Sequence, residues 1–425
     1  VVVPQGGVAA SVANTPLLPV YGSEAVFSSY PLYMSTAFDP NTANKFVIIY
    51  RDSTSSNDGT AIVGTVSGTS ISFGSEYVFN SGITDYDYIA FDPNTANKFV
   101  VVYKDGSNSG YGTSRVGTVS GTSISFGSEV VFNSGSTTYT SISFDPNTAN
   151  KFVVVYKDGG NSFYGTAIVG TISGTSLSFG SEYVFNAANT QFIDTVFDPN
   201  NANKFVVSYQ DYTNSSYGTA IVGTVSGTSI SFGSEAVFNA ASTEDTVLDF
   251  DPNTANKFVV AYTDTANSEH GTAIVGTVSG TSISFGSEVV FNSSATYYQS
   301  IKFNPNTAGS FVVAYRDEGS GSGTSIVGTV SGTNISFGSE VVFNSGTTNN
   351  IAAAFDPNTA GKFVVVYNDY LNSNRGTAIV SNLSTALTIG SNYYVQSDGA
   401  VSTVSTSPAV NIGKAISATS LILKG

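Results

Sequence analysis

The chain has no cysteine and no tryptophan, and only one histidine, in 425 residues. Without cysteine there can be no disulfide framework, no thiolate metal site and no cysteine nucleophile. No apolar run approaches the roughly 18 residues that a membrane helix needs, so membrane insertion is not expected. The start, Val1-Val2-Val3-Pro4, has neither a basic region nor a long apolar segment, so no signal peptide is expected there. Positive charge is scarce, with 15 Lys and Arg against 30 Asp and Glu, a net of −15. Such a surface repels phosphate backbones, so nucleic acid is not an expected partner, and it favours solubility. Gly, Ser, Thr, Val, Phe, Tyr and Asn dominate instead. β-Branched and aromatic side chains suit a pleated surface, so the mix favours strands and turns over helices. Hydrophobic residues make up 41% of the chain, enough for a packed core.

Self-similarity organises the sequence. Phe-Asp-Pro-Asn begins at Phe38, Phe91, Phe144, Phe197, Phe250 and Phe355, with Phe-Asn-Pro-Asn at Phe303. The spacing is 53 residues five times and then 52. Each unit reads as four strands. Strand A ends in Phe-Asp, as in Ser141 to Asp145. Pro-Asn-Thr-Ala-Asn turns the chain, since Pro presets φ and Asn tolerates left-handed geometry. Strand B is Lys151 to Tyr156, and its equivalents. A Gly/Ser/Asn segment leads to strand C, as at Gly59 to Val66, and Ser-Gly-Thr-Ser leads to strand D, Ile-Ser-Phe-Gly-Ser-Glu-x-Val-Phe-Asn.

Strand B is apolar without alternation, which predicts burial on both faces. A propeller supplies that, because each blade is sandwiched between two neighbours. Burying its Phe, two Val and Tyr contributes roughly 6–12 kcal/mol gross per blade, most of it offset by chain entropy. The expected fold is all-β: a seven-bladed β-propeller of four-stranded antiparallel blades. A β-solenoid, the rival, would need shorter rungs without these hairpin turns.

Closure is expected from the N-terminus. The strand D marker Gly-Ser-Glu places glutamates at Glu76, Glu129, Glu182, Glu235, Glu288 and Glu340, and a seventh, Glu24, precedes the first strand A. The segment around Tyr21 to Phe27 then serves as the outer strand of the last blade, which removes open edges. A rival strand lies at Ile389 to Val395, where Asn392 stands in place of the glutamate. The expected organisation is an extension over residues 1–20, a propeller over 21–380, and a small β-rich C-terminal appendage over 381–425.

Catalytic constellations are not evident. His270 stands beside Glu269 in a variable segment, with no counterpart in other units, and reads as solvated. Arg51, Arg316 and Arg375 fall in adjacent blades, an arrangement that in sialidases clamps a carboxylate, but the tryptophan-bearing Asp-box is absent. Glycines sit in hairpins rather than before a helix, so no phosphate cradle is formed. An aspartate follows each strand B: Asp52, Asp105, Asp158, Asp211, Asp264, Asp317 and Asp369. These carboxylates suit calcium or cap their own turns, and they match no known calcium loop. Asp39, Asp92, Asp145, Asp198, Asp251 and Asp356 read as turn formers. The strand B lysines (Lys45, Lys98, Lys151, Lys204, Lys257, Lys362) are expected to pair with the repeated glutamates. No cofactor is expected.

Variation between units is confined to the D–A and B–C connections, which emerge together on one face of the disc. Aromatic residues concentrate there. Tyr33, Tyr86, Tyr88, Tyr139, Phe192, Tyr297 and Tyr298 lie in D–A segments, beside Tyr30. Tyr111, Phe163, Tyr164, Tyr212, Tyr217, His270, Tyr370 and Arg375 lie in B–C segments. Tyrosines beside Asp, Asn and Ser suit stacking on sugar rings or a protein interface. Drift in solvent loops would produce the same variation.

Two stretches carry a resemblance. Leu387 to Gly399, with Ile412 to Gly425, resembles a terminal module of virion and tail-fibre-like proteins of tailed phages, marine ones especially. The repeats, with Tyr-Lys-Asp and Gly-Thr-Val-Ser-Gly-Thr-Ser-Ile-Ser-Phe-Gly-Ser-Glu, resemble repetitive marine phage and bacterial surface proteins. The resemblance implies a non-enzymatic virion protein, extracellular or on the particle. Its partners would be a host surface glycan or receptor and other virion proteins, and a homo-oligomer is compatible. The alternatives are a structural decoration protein and a bacterial surface adhesin or lectin.

Overall fold

The computed structural model describes residues 17–385, 392–395, 401–402, 410–417 and 420–423. The architecture is all-β and propeller-like. Among the described residues the sole helical element is a single 3-10 turn, Thr265–Asn267. Pro19–Asn382 forms one compact unit. Asn392–Val395, Val401–Ser402, Val410–Ser417 and Ser420–Leu423 form a separate four-stranded antiparallel sheet. Asn392–Val395, part of the rival closing strand, pairs within that sheet, and Ile389 lies outside the described residues.

The third repeat shows the unit. Its strand A pairs with strand B through Phe144 opposite Phe152. Strand B, Lys151–Asp158, pairs with strand C, Tyr164–Ser173, through Val153 opposite Val169. Strand C pairs with strand D through Ala167 opposite Tyr183. All three ladders are antiparallel. Strand B is buried from Phe152 to Tyr156, and the two faces enter different cores. Phe152, Val154 and Tyr156 pack with Val100 and Val102 of the second repeat. Val153 and Val155 pack with Phe205, Val207 and Tyr209 of the fourth. This two-sided burial explains the unbroken apolar run. The strand B phenylalanine lies flat on a strand C glycine: a Cβ on Gly170 would collide with the Phe152 ring.

The turns follow from residue type. The last Asn of Pro-Asn-Thr-Ala-Asn is left-handed, as at Asn150 (φ 62°), and the sixth and seventh repeats place Gly309 and Gly361 there at φ 72° and 67°. Asn and Gly are the residues that adopt this region at least cost.

The recurrent turn residues also join one repeat to the next. Asp145 accepts from the backbone N–H of Asn147 with Oδ1 (2.9 Å) and from that of Asn203, in the following repeat, with Oδ2 (3.1 Å). Asn147 Nδ2 donates to the Pro199 carbonyl at 3.2 Å. The seventh repeat makes the same contacts with the first: Asp356 Oδ2 accepts from Asn44 N at 2.9 Å, and Asn358 Nδ2 donates to Pro40 O at 3.1 Å. Asp39, Asp145, Asp251 and Asp356 are therefore staples as well as turn formers.

The N-terminal strand Ala25–Ser28 pairs antiparallel with strand C of the seventh repeat, Arg375–Thr385. Tyr367 donates to Glu24 Oε1 at 2.7 Å, as Tyr156 donates to Glu182 and Tyr209 to Glu235 in their own repeats. The glutamates thus take tyrosine partners rather than the expected lysines. Buried tyrosine hydroxyls need acceptors, whereas Lys45, Lys98, Lys151 and Lys204 reach the exposed carbonyls of the C–D turn. Lys151 Nζ donates to Gly227 O at 2.7 Å and Lys204 Nζ to Gly280 O at 2.6 Å.

A second expectation, that the variable segments are loops, is corrected for one of them. The D–A connection is not a loop. In the third repeat a single strand, Ser176–Phe197, runs from the edge of one sheet to the innermost position of the next.

Candidate functional site

Each strand A opens with a bulge. Its register with strand B slips between Thr138 and Ser141 in the third repeat, and at the equivalent place in every other. The bulge residue is left-handed: Tyr33 (φ 50°), Tyr86 (55°), Tyr139 (51°), Phe192 (48°), Asp245 (48°), Tyr298 (55°) and Asn350 (49°). Bulky L-residues adopt this region at a cost of about 1–2 kcal/mol each. The bulge aims these seven side chains into one central cavity of about 810 Å³.

The rings touch in sequence. Tyr33 and Tyr86 have centroids 5.5 Å apart, Tyr86 and Tyr139 5.4 Å, and Tyr139 and Phe192 5.3 Å. The next places are Asp245, Tyr298 and Asn350, with Tyr298 N donating to Asp245 Oδ2 at 3.2 Å. Cations flank the aromatic row. The Arg51 guanidinium lies 4.9 Å from the Tyr33 ring and pairs with Asp85. Lys157 Nζ lies 5.0 Å from the Phe163 ring and 5.7 Å from Tyr139, and burial lowers its pKa. Arg316 lies over Tyr297 and Tyr298, and pairs with Glu318. Tyr297 donates to Glu269 Oε2 at 2.7 Å; that hydrogen bond, then burial, pushes its pKa up to about 12.

Deeper in the cavity the strand A side chains reach forward to the next repeat. Asp194 Oδ2 accepts from Leu248 N at 2.9 Å, Ser300 Oγ from Ala353 N at 3.0 Å, and Asp249 from Phe303 N at 2.6 Å. These bonds satisfy the free edge of the innermost strand. Burial raises the Asp194 and Asp249 pKa values, and the Lys302 charge opposes that rise. Burial also raises Tyr88, which lines the cavity below the mouth. Asp245 is pushed up to about 6, chiefly by burial.

The fifteen expected site residues divide into two groups. Tyr33, Tyr86, Tyr88, Tyr139, Phe192 and Tyr298 line the cavity. The others occupy the B–C hairpins or, for Tyr297, the strand beside them. Tyr111, Tyr164, Tyr217, His270 and Arg375 hold one register position, each opposite the aspartate that ends strand B. Phe163, Tyr212 and Tyr370 are exposed on the turns. The two groups share one face: the turn residue Gly159 N donates to Ser136 O, at the entry to strand A, at 2.7 Å. Composition alone missed Asp245 and Asn350 at the mouth, and Asp194, Asp249 and Lys302 below it. Counting 53 or 52 residues from Tyr33 would have reached the first two.

The strand B aspartates cap their turns. Asp158 Oδ1 accepts from Gly160 N at 2.8 Å, and Asp52 Oδ1 from Thr54 N at 2.8 Å. Among the described residues no three carboxylate or histidine side chains gather as a metal-binding group. Arg51 and Arg316 are each engaged by a carboxylate, while Arg375 is exposed.

No family model matches this chain, and no curated protein matches its sequence. Solved structures do resemble it. The BP39L lectin from Burkholderia pseudomallei superposes with a TM-score of 0.62 at 10% identity, over 84% of this chain and 98% of the lectin. Sqt1 from Saccharomyces cerevisiae gives 0.51 at 10% identity, over 85% of this chain and 87% of that one. Sqt1 from Chaetomium thermophilum, bound to the N-terminus of the ribosomal protein L10, gives 0.53 at 12% identity, over 86% and 98%. At these identities the likeness concerns the fold.

Proposed function

We propose that Pro19–Asn382 is a seven-bladed β-propeller closed by its N-terminal strand, and that it is a non-enzymatic glycan-binding module of the adhesin or lectin kind. Closure is supported by the repeat of the same staples from the seventh unit to the first, and by Glu24 serving Tyr367. The observation that carries the function is the strained aromatic row at the cavity mouth. Backbone strain maintained at equivalent places, where glycine would relieve it, points to a use for the side chains. Aromatic faces beside Asp and Asn oxygens are the chemistry that stacks on sugar rings and bonds their hydroxyls. The structural likeness to a lectin is consistent with this reading.

A glycan array with the purified chain tests it. Tyr86→Ala and Tyr139→Ala should each weaken binding by roughly 2 kcal/mol, about thirtyfold. Tyr212→Ala and Tyr370→Ala, on outer turns, should leave it unchanged. Retained binding in the first pair, or loss confined to the second, would sink the assignment to the mouth. Turnover of a bound glycan would sink the non-enzymatic part.

The setting is a separate proposal. The repeat wording and the C-terminal stretch support a virion or cell-surface location. Immunolabelling of purified particles against cell envelopes distinguishes the two.

A further inference from the structure

The seven equivalent places at the mouth differ in a directional way. Tyr33, Tyr86, Tyr139 and Phe192 form one continuous aromatic side; Asp245, next to Glu244, begins the other, where Tyr298 and Asn350 follow it. A site repeated once per unit would need the same side chains in each unit. An asymmetric rim instead suits one ligand with one stacking face and one polar end.

The polar end has the wrong charge balance for a neutral ligand. Arg51 is taken by Asp85 and Arg316 by Glu318, and Lys157, whose pKa burial lowers, lies outside the cavity lining. No salt bridge among the described residues reaches Asp87, Glu244 or Asp245. Asp87, Asp194, Asp245 and Asp249 line the same cavity as the aromatic row, with Lys302 as the cation among them. Asp87 adds an independent sign. It is 2% exposed and lines the cavity. Its Oδ2 accepts from Thr84 Oγ1 at 2.9 Å, while its Oδ1 has no hydrogen-bond partner. Burial raises its pKa, and a buried acceptor without a donor is costly, so this carboxyl takes up its charge most readily when a donor approaches. Aromatic faces beside unpaired carboxylates are the chemistry that holds an ammonium group. A cavity of about 810 Å³ is the size that encloses one small ligand rather than a polymer strand.

We infer that the central cavity binds one glycan end per chain, and that this glycan carries a protonated amine: an amino sugar, not its acetylated or neutral counterpart. The inference rests on the glycan reading above and specifies its ligand.

Titration calorimetry of the full chain with chitosan and chitin oligosaccharides of equal length tests it, since acetylation removes the charge and keeps the ring. The measurement belongs above pH 6, where the ionised form of Asp245 predominates. Chitosan should bind with a stoichiometry of one, and more tightly by roughly tenfold or more, the range of one charge-assisted hydrogen bond. Asp245→Asn should abolish the preference, with an unchanged or raised melting temperature to show that the fold is intact. Equal affinities, or a stoichiometry near seven, would overturn the inference and leave the glycan reading standing. Binding to neither oligosaccharide also overturns it, and a silent glycan array would then remove the glycan reading too.

Discussion

Replacing Phe27 by alanine tests whether the N-terminal strand is an integral part of the ring. Phe27 is 8% exposed, and its ring lies 5.4 Å from that of Tyr50 and 5.7 Å from that of Phe73. It covers Gly376, where a Cβ would strike the ring. Phe238 does the same inside the chain: it covers Gly218, and its ring lies 5.1 Å from Tyr262 and 5.8 Å from Phe285. Truncating a buried phenylalanine costs about 3–5 kcal/mol, from lost transfer energy and the cavity left behind. An unfolding entropy of about 2.1 cal/mol/K per residue, over the roughly 360 residues of Pro19–Asn382, converts that loss to about 4–7 °C in Tm. Phe27→Ala and Phe238→Ala should therefore lower Tm by similar amounts in calorimetry. If Phe238→Ala shows the full loss and Phe27→Ala less than about 1 kcal/mol, the N-terminal strand is an accessory and another segment completes the last sheet.

The staple between the seventh and first repeats can be cut singly. Asp356→Asn places an amide where Oδ2 accepts from Asn44 N, and should cost about 1–3 kcal/mol in guanidinium unfolding, with Asp145→Asn costing the same at an internal junction. The cavity carboxylates give a pH signature. Asp245 titrates near 6 in the folded chain, above its ordinary value, so the folded state binds more protons between about pH 4 and 6. Its contribution is present below that window and is lost as pH rises through it. Asp245→Asn should stabilise the chain at pH 7 by up to about 3 kcal/mol and have little effect near pH 4, as read by unfolding at both pH values. A destabilising effect at pH 7 would mean that the carboxylate is needed for packing.

The repeat was legible because its markers are set by backbone geometry. Asn150 and its equivalents must be left-handed, and the two repeats that abandon Asn use Gly309 and Gly361, the other residue that fits. Strand B announced its two-sided burial by lacking alternation, and Glu24 announced its place because Gly-Ser-Glu occurs nowhere without a strand D. Partners were less legible than positions. Glutamate recurs in seven units and lysine in six, and opposite charge suggested a pair. The fold instead gives Glu182 a buried hydroxyl from Tyr156 and gives Lys151 a turn carbonyl. Nothing in the local sequence states which side chain lies across a neighbouring strand. The Asp145 staple was hidden for the same reason, since its second acceptor meets a residue 58 positions away.

At the mouth, backbone conformation decides where the aromatic side chains go. The D–A segments vary and carry tyrosine, which reads as a loop, and a loop side chain would face outward. Their true conformation is a strand with one left-handed residue, and that residue is seldom a Gly or Asn that would advertise it. Tyr33, Tyr86, Tyr139, Phe192 and Tyr298 take the left-handed place with bulky side chains, so propensity misreports the backbone. The bulge then rotates the side chain from the outer surface to the central cavity, which separates the mouth from the exposed rings of Phe163, Tyr212 and Tyr370. The same step makes position stronger than composition as a guide. Asp245 and Asn350 share the bulge with five aromatics, and their departure from the pattern breaks the symmetry of the rim. A ligand that used seven equal sites would have no need of that departure; one that sits across the rim would.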